Sequence, residues 1–302
     1  MNQLLRSLLR PAYSLLVKRN PVVQAIVRRE AKDWSKLLSE DFIASDYGKD
    51  YGVTTDERRK LVACFVRNNA AIQSATNVDI HIVLAREILT MPPSRKGNVA
   101  ECGAFKGASS ASLSLVCQRT GRRLLVCDSF QGLPDDGMKL HVAQHFGIYG
   151  YYKEGMFCGR LEEVKANIKA YGAPEVCQFI TGFFSDSLKA LKDPIAMAFV
   201  DVDLVSSTQE CLRYLWPLLA EDGAIYTDDA GDLDCVSVFF DNEWWKENLG
   251  CPAPGLIGSG CGLPLNPSFS SLGYIRKMSR PDTKLARAGH LYYPQATAAT
   301  KA

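Results

Sequence analysis

The strongest constraint on the fold of this chain is an alternation of short apolar runs and longer helical patterns between residues 98 and 248. Most of the apolar runs end at a carboxylate, and each is followed by apolar residues at helical spacing. This alternation is typical of βαβ units and predicts a parallel sheet with helices on both faces. The predicted strands are 98–101, 123–128, 177–181, 196–201 and 224–228, and the predicted helices are 108–119, 160–171, 185–192, 207–220 and 235–248.

The total charge excludes one class of function. Lys and Arg number 35 and Asp and Glu number 33, which gives a net charge of +2 and argues against a general nucleic-acid binder. Residues 1–29 contain six basic side chains and no acid, and residues 276–302 contain six basic side chains and one acid. The middle of the chain therefore carries a net charge of −9. We expect an acidic body with two basic ends.

The basic ends lie outside the predicted sheet. We expect a helical N-terminal extension over 1–55, a central domain over 56–277 and a basic tail over 278–302. The N-terminal leucines recur at helical spacing, which predicts a helix that packs on the body or on a second subunit, or one that makes a weak contact with an anionic membrane surface. An organellar transit peptide is a third interpretation. The segment is too short for a membrane span and lacks a secretory cleavage pattern.

The ten cysteines are scattered and contain no C-x-x-C pair. Several lie inside apolar runs, so we interpret them as reduced thiols that act as small core residues. The four histidines do not pair with cysteines at the spacing of a zinc site. We expect a cytoplasmic protein.

The turn after the first predicted strand has the composition of a ligand-binding loop. It begins at Glu101, and Gly103 and Gly107 let the chain turn sharply and bring the next helix close to a ligand. The amides at the start of that helix favour a carboxylate. Asp128, at the end of the second strand, is placed to accept ribose hydroxyls. The combination predicts S-adenosylmethionine; a tight turn beside a solvated acid is the alternative.

Acidic residues also close the fourth and fifth predicted strands. Neighbouring strands lie about 4.8 Å apart, so Asp201, Asp228 and Asp229 can converge on one cation. Carboxylates without sulfur or imidazole suit Mg²⁺. The alternative is that these acids cap the helices that follow.

Three residues are candidates for the general base beside this metal site. Asp203 lies on the same side of the strand as Asp201 and can take a proton from an acceptor hydroxyl. His141 and His145 are one helical turn apart and are the other candidates. In the alternative, Asp203 only supports the metal ligands and the two histidines lie on an exposed helix face.

A series of ordered blocks resembles the TylF/macrocin O-methyltransferase family of class I S-adenosylmethionine-dependent enzymes. The blocks lie at 99–110, 127–134, 155–172, 182–188, 199–208 and 225–231, within a resemblance that runs from about residue 57 to 277. It implies a Rossmann-like, mostly parallel sheet of seven strands with helices on both faces. It also implies a homo-oligomer.

The resemblance implies a role for each matched residue. Asp128 and Ser129 would hold the ribose, Phe184 and Ser185 would flank the adenine, and residues 131–159 would cover the site. Asp203 would be the base. The methionine end of the cofactor would contact Glu101, Gly103, Phe105 and Ser109, and magnesium would bind Asp201, Asp228 and Asp229.

Two departures from the family pattern bear on the acceptor. Position 204 is Leu where catechol methyltransferases carry a lysine base, and Ala230 replaces a usual aromatic residue. We expect a magnesium-dependent O-methyltransferase whose acceptor is a small-molecule hydroxyl, of a sugar or a natural-product diol. Two alternatives remain. One is a glycosyltransferase that uses Asp201-Val-Asp203 as an Asp-x-Asp motif, and the other is a non-catalytic cofactor-binding protein.

Overall fold

A six-stranded sheet forms the centre of the molecule. The computed structural model describes residues 21–135, 142–143, 148–149, 152–258 and 272–278. Within these residues the strand order is β5-β2-β1-β6-β7-β8, and all neighbours are parallel except β7 and β8. The strands are β1 (Asn98–Cys102), β2 (Leu124–Asp128), β5 (Cys177–Thr181), β6 (Ile195–Val200), β7 (Leu219–Thr227) and β8 (Gly273–Arg276), and a separate antiparallel pair consists of β3 (Val142–Ala143) and β4 (Ile148–Tyr149).

Helices cover both faces of this sheet. Three precede it: α1 (Pro21–Ala44), α2 (Thr55–Ala71) and α3 (Val78–Thr90). The others connect or follow strands: α4 (Ala108–Thr120), α5 (Leu161–Tyr171), α6 (Phe184–Ser187), α7 (Val205–Leu218), α8 (Leu233–Val238) and α9 (Asn242–Leu249). Short 3₁₀ turns occupy Lys49–Tyr51, Pro174–Val176 and Leu188–Ala190.

The continuous apolar runs of the strands follow from the two hydrophobic cores, one on each face of the sheet. On β1, Val99 belongs to the core under α2, α3, α4 and α5, whereas Ala100 and Cys102 belong to the core under α7, α8 and α9. Successive side chains of a strand point to opposite faces, so a sheet covered on both faces needs apolar residues at every position. The largest side chain of the second core is Trp245, whose indole N–H donates to the Val238 carbonyl at 2.8 Å.

The mixed α/β architecture confirms the predicted fold class, with one correction. The sheet has six strands in the described ranges rather than seven, because β8 is the single strand after β7 there. The predicted helix 235–248 is two helices. Asp241 divides them, because its carboxylate accepts hydrogen bonds from the amides of Glu243 and Trp244 and so caps α9. The predicted strand 224–228 begins earlier, at Leu219, directly after Pro217 ends α7.

The helices before the sheet begin at residues that cap them. Thr54 and Glu57 form a reciprocal capping box at the start of α2, and Asn77 accepts from the amide of Ile80 at the start of α3.

Residues 1–20 and 279–302 lie outside the described ranges, so the membrane-contact and tail predictions rest on sequence. The boundaries at 55/56 and 277/278 also stay predictions. The described part of the chain contains no helix with the length and hydropathy that a membrane span requires.

The strand order places a switch point between β1 and β6. The chain proceeds from β1 to β2 and β5 on one side, and then returns to β6 on the other side of β1. In an open parallel sheet, the crevice beyond the carboxyl ends of two such strands is the usual place for a ligand. The acidic strand ends identified in the sequence lie at this edge.

Candidate active site

A cavity of about 670 Å³ opens beyond the carboxyl ends of β1, β2, β5 and β6. Its lining combines aromatic rings with carboxylates and hydroxyls. The aromatic members are Phe105, Phe157, Phe183 and Phe184, and the polar members include Asp128, Ser129, Asp201, Asp203, Ser207 and Glu210. A cleft with an apolar body and a few convergent polar groups is typical of a small-molecule site.

The β1–α4 turn lies against the β6 turn at the switch point. Gly103 adopts φ +89°, and a Cβ atom there would lie 1.8 Å from the Asp201 carbonyl oxygen. The Asp201 amide also donates to the Cys102 carbonyl at 2.9 Å. Only glycine fits this close approach of two backbones. The next residue with strained backbone is Phe105, at φ 46°, whose ring meets that of Phe157 edge to face at 5.8 Å.

Asp128 connects the β2 end to the β1–α4 turn. Its carboxylate accepts from the amide of Ala104 at 2.7 Å and from the amide of Phe130 at 2.6 Å. Burial raises the pKa of Asp128, and these backbone hydrogen bonds oppose that shift. The carboxylate still lines the cavity. Asp128 therefore has a fixed orientation, with lone pairs remaining for a polar ligand.

Glu101 is buried without a counter-charge. Its side chain has no exposed surface, and neither carboxylate oxygen makes a hydrogen bond in the described structure. Burial raises the pKa of Glu101 to about 7, and the hydroxyls of Ser109 and Ser110, which lie nearby without forming a hydrogen bond to it, partly oppose this shift. A buried carboxylate without a donor is costly, so its position next to the turn is suited to a cationic or hydrogen-bonding group of a ligand.

Three carboxylates converge at the ends of β6 and β7. Ligand oxygens of Asp201, Asp203 and Asp229 all lie within 4.8 Å of one another. Burial, followed by the charges of Asp228 and Asp229, raises the pKa of Asp201 well above its usual range. Burial, followed by the charge of Asp229, does the same to Asp203. Three oxygen ligands in this arrangement match the chemistry of a hard divalent cation.

The predicted set Asp201, Asp228 and Asp229 is therefore close to the observed group but not identical with it. Asp203 lies within the group whose oxygens converge, and Asp228 lies outside it. Asp228 still acts on the site, since its charge raises the pKa of Asp201 and of Asp203.

Asp229 also organises the turn that presents the other two acids. Its Oδ2 accepts from the amides of Val202 at 3.1 Å and Asp203 at 3.2 Å. Asp203 has φ 62°, a left-handed conformation that side chains with a Cβ rarely adopt. Strained backbone at such a turn needs fixed partners, which Asp229 supplies.

The remaining predicted cofactor residues have different environments. Phe184 and Ser129 line the cavity, and Ser129 Oγ donates to the Gly132 carbonyl at 2.9 Å. Ser185, at α6, contributes its backbone carbonyl, which accepts from the Tyr214 hydroxyl at 3.4 Å.

The predicted residues of α4 lie at the start of that helix. Gly107 caps α4 at φ 84° and lies against Val164. Ser109 is buried beside Glu101. Two of the candidate bases, His141 and His145, lie outside the described residues.

Several site residues were not identified from the sequence. Phe183, Phe157 and Glu210 line the cavity, and Tyr152 donates to Asp232 Oδ2 at 2.7 Å beside the acid group. The sequence contained a partial signal for Phe157, which lies in a matched block. Ala75 reaches the cavity from the loop between α2 and α3, and no sequence pattern indicates it.

Comparisons with known proteins agree with this arrangement. The family model described as Macrocin-O-methyltransferase (TylF) matches residues 89–253. The chain is 33% identical over 139 residues to 8-demethyl-8-(2,3-dimethoxy-alpha-L-rhamnosyl)-tetracenomycin-C 4'-O-methyltransferase of Streptomyces olivaceus, covering 44% of this chain and 52% of that protein. It is 28% identical over 138 residues to demethyldecarbamoylnovobiocin O-methyltransferase of Streptomyces niveus, with the same coverage of 44% and 52%. The chain thus spans about half the length of the curated relatives it matches.

A solved structure supports the fold. The O-methyltransferase NovP superposes with a TM-score of 0.51 at 19% identity, over 75% of this chain and 82% of that one. The fold is therefore the Rossmann-like fold of class I methyltransferases. The family match covers more than half of the chain and includes both the β1–α4 turn and the converging acids. The chain belongs to the macrocin O-methyltransferase (TylF) family.

Proposed function

We propose that this protein transfers a methyl group from S-adenosylmethionine to a hydroxyl of a small molecule, a sugar or a natural-product diol. The observation that carries the proposal is the convergence of Asp201, Asp203 and Asp229 within 4.8 Å, next to the cavity beyond β1 and β2. Both curated relatives are named as O-methyltransferases, and one name includes a rhamnosyl group. The proposal applies these activities to a chain that matches about half of each relative.

The cofactor would supply an electrophilic methyl group on a sulfonium. Glu101 would accept hydrogen bonds from its ammonium, which would give the buried carboxylate the donors that the described residues do not provide. Asp128 would accept from the ribose hydroxyls, and Phe184 would lie against the adenine. Gly103, Phe105, Gly107, Ser109, Ser129 and Ser185 would shape the surrounding surface.

The donor set at the converging acids fits Mg²⁺. Oxygen ligands at close range, with no sulfur or imidazole among them, suit this cation, and their mutual repulsion would be relieved by it. Asp201, Asp228 and Asp229 would bind it, with Asp203 beside them as the base. When bound, Mg²⁺ would act as a Lewis acid towards the acceptor and hold it in place.

Asp203 is our candidate for the base. A carboxyl group whose pKa is raised well above its usual range is a stronger proton acceptor once ionised. Asp203 also lines the cavity, whereas Asp229 is held by two backbone amides. It would take the proton of the acceptor hydroxyl while the oxygen attacks the methyl carbon and the bond from that carbon to the sulfonium sulfur breaks, which would leave S-adenosylhomocysteine. Most of the rate increase would come from positioning the two reactants. His141 and His145 stay alternative bases.

The test is methyl transfer by the purified chain to acceptors with vicinal hydroxyls, including a rhamnosylated aglycone, with Mg²⁺ or with a chelator. We expect activity that requires Mg²⁺, and a loss of about 100-fold or more in Asp203→Asn with S-adenosylhomocysteine binding retained. The matched control is Asp186→Asn, an exposed acid that pairs with Lys189.

Binding measurements beside the methyl-transfer assay separate the alternatives. Binding of a nucleotide sugar without binding of S-adenosylhomocysteine would indicate a glycosyltransferase. Cofactor binding with no transfer to any acceptor would indicate a non-catalytic protein. Full activity in the chelator would contradict the role of Mg²⁺. A cytoplasmic location and a homo-oligomer stay predictions.

A further inference from the structure

A second cleft lies at the opposite edge of the sheet, beyond the amino ends of β1, β2 and β6. It is open to solvent, encloses about 1190 Å³ and shares no lining residue with the active-site cavity. Four cationic side chains line it, Arg95, Lys96, Arg122 and Arg123, and one acid, Asp193. Its formal charge is therefore strongly positive on a body that is acidic overall.

Arg122 is a fixed member of this cleft. Its side chain is only 8% exposed. Its guanidinium donates to the Gly97 carbonyl at 3.0 Å and to the Tyr51 hydroxyl at 3.2 Å. Its Nε–H donates to no atom of the described chain. A buried guanidinium held in place with one donor unused is the type of group that anion sites contain.

Arg95 has a charged side chain without a direct hydrogen-bond or ion-pair partner in the described ranges. Within the described ranges its half-buried side chain makes no hydrogen bond or ion pair, and burial lowers its pKa. Of the nearby charges, Arg276 and Arg122 also lower it, and the carboxylates of Glu87 and Asp222 raise it. The Glu87 carboxylate already accepts from Arg276 at 3.0 Å and from the Tyr226 hydroxyl at 3.0 Å.

The residues outside the described ranges carry no net negative charge, since residues 136–141 contain one acid, Asp136, and one base, Lys139. Residues 1–20 contain four basic side chains and no acid, and residues 279–302 contain four basic side chains and one acid. Residues 259–271 contain no charged side chain. An anion from outside the chain is the simplest complement to the cleft.

We propose that this cleft binds a small phosphate-bearing anion. Arg95, Lys96 and Arg123 would contact the phosphate oxygens, and Arg122 would hold the floor of the cleft. Tyr51 lines the same cleft, and its ring offers a surface for a nucleobase if the phosphates belong to a nucleotide. The two sources, free pyrophosphate and a nucleoside diphosphate, share the same phosphate chemistry.

The test is calorimetric titration of the purified chain with pyrophosphate, and separately with ADP, at about 50 mM salt where charge interactions are weakly screened. We expect binding of pyrophosphate by the wild type and about tenfold weaker binding by Arg95→Gln/Lys96→Gln. The matched control is Arg59→Gln/Lys60→Gln, an exposed Arg-Lys pair on α2. It removes the same two charges and should bind as the wild type does.

A second variant distinguishes loss of the anion site from misfolding of the cleft. Arg123 makes a single long hydrogen bond, to the Gln178 side chain at 3.3 Å, so Arg123→Gln should fold normally and still weaken binding. Tighter binding of ADP than of pyrophosphate would support a nucleotide, and equal binding would support the phosphates alone. Equal binding by the cleft variant and the α2 control would overturn the proposal. So would no pyrophosphate binding by the wild type at about 5 mM.

Discussion

The carboxylate of Asp229 accepts a hydrogen bond from the backbone amide of Asp203 at 3.2 Å, which joins the end of β7 to the turn after β6. The same oxygen accepts from Val202 at 3.1 Å. Asp229 therefore has two functions that its charge alone does not reveal. It contributes an oxygen to the converging acids, and it holds Asp203 in a left-handed backbone conformation.

Two substitutions of Asp229 separate these functions. Burial raises the pKa of the Asp229 carboxyl group to about 6. Asp229→Asn keeps an oxygen acceptor for both amides and removes the buried negative charge. We expect its free energy of unfolding at pH 8 to equal or exceed that of the wild type. Asp229→Ala leaves two amides without an acceptor, and we expect it to lose about 1–3 kcal/mol. Urea unfolding measures both, and equal destabilisation of the two variants would contradict the role in the turn.

The contact between Tyr152 and Asp232 predicts an energetic coupling. The Tyr152 hydroxyl donates to Asp232 Oδ2 at 2.7 Å, and Asp232 is buried. Tyr152→Phe takes a donor from a buried carboxylate, so we expect a loss of stability of about 1–3 kcal/mol. In Asp232→Asn that cost should be much smaller, which a double-mutant cycle measures.

Tyr214 provides the control for this cycle. Its hydroxyl donates to the Ser185 carbonyl at 3.4 Å, a long hydrogen bond. We expect Tyr214→Phe to cost less than about 0.5 kcal/mol. Additive effects of Tyr152→Phe and Asp232→Asn would show that the contact does not stabilise the folded chain.

The sequence indicated the sheet and its acidic edge because both follow from local rules. Strands with apolar residues at successive positions require a sheet that is covered on both faces, and parallel strands bring their carboxyl ends to one edge of that sheet. Glu101, Asp128, Asp201 and Asp228 could therefore be assigned to one edge of the sheet from the sequence alone. The register of Cys102 with Val200 then places Gly103 and Asp201 side by side.

Other features depend on tertiary contacts that no local pattern encodes. The hydrogen bond from Tyr152 to Asp232 joins residues that are 80 apart in sequence, and no local pattern indicates it. The strand pattern placed Asp203 on the same side as Asp201, but its left-handed backbone at φ 62° and the hydrogen bond that Asp229 accepts from its amide were not indicated. The early start of β7 at Leu219 and the split between α8 and α9 at Asp241 likewise follow from the observed pairing and capping.

Glu101 predicts a stability that falls as pH rises. The folded pKa of about 7 lies above the usual value of 4.5 for a glutamate, so the folded state binds more protons than the unfolded state between these pH values. Wild-type stability should therefore decrease from pH 4.5 to pH 7 relative to Glu101→Gln, by at most about 3 kcal/mol. Urea unfolding across this range measures the difference. Glu247→Gln, at an exposed site, is the control and should show no such trend.

His81 predicts the opposite dependence in an overlapping range. It is fully buried, its Nε2 lies 3.0 Å from the Thr76 hydroxyl, and burial lowers its pKa to about 4. The unfolded state then binds more protons between pH 4 and 6.5, so stability is lost as pH falls through this window. Relative to His81→Gln, the wild type should gain at most about 3 kcal/mol from pH 4 to pH 6.5. A difference that is flat or of the opposite sign would show that His81 is not buried in its neutral form.

Gly103 and Gly121 offer a comparison in which only one glycine makes a close contact. Both have positive φ, +89° and +64°, so alanine is strained at either position. At Gly121 a Cβ atom would meet nothing within 4 Å, and we expect Gly121→Ala to cost about 1–2 kcal/mol. At Gly103 the Cβ atom would lie 1.8 Å from the Asp201 carbonyl oxygen, so the β1–α4 turn and the β6 turn must separate. Gly103→Ala should therefore lose clearly more stability than Gly121→Ala in thermal unfolding. In calorimetry, Gly103→Ala should bind S-adenosylhomocysteine more weakly, whereas Gly121→Ala should bind it normally. Equal effects of the two substitutions on both measurements would mean that the contact between the turns does not maintain the cavity.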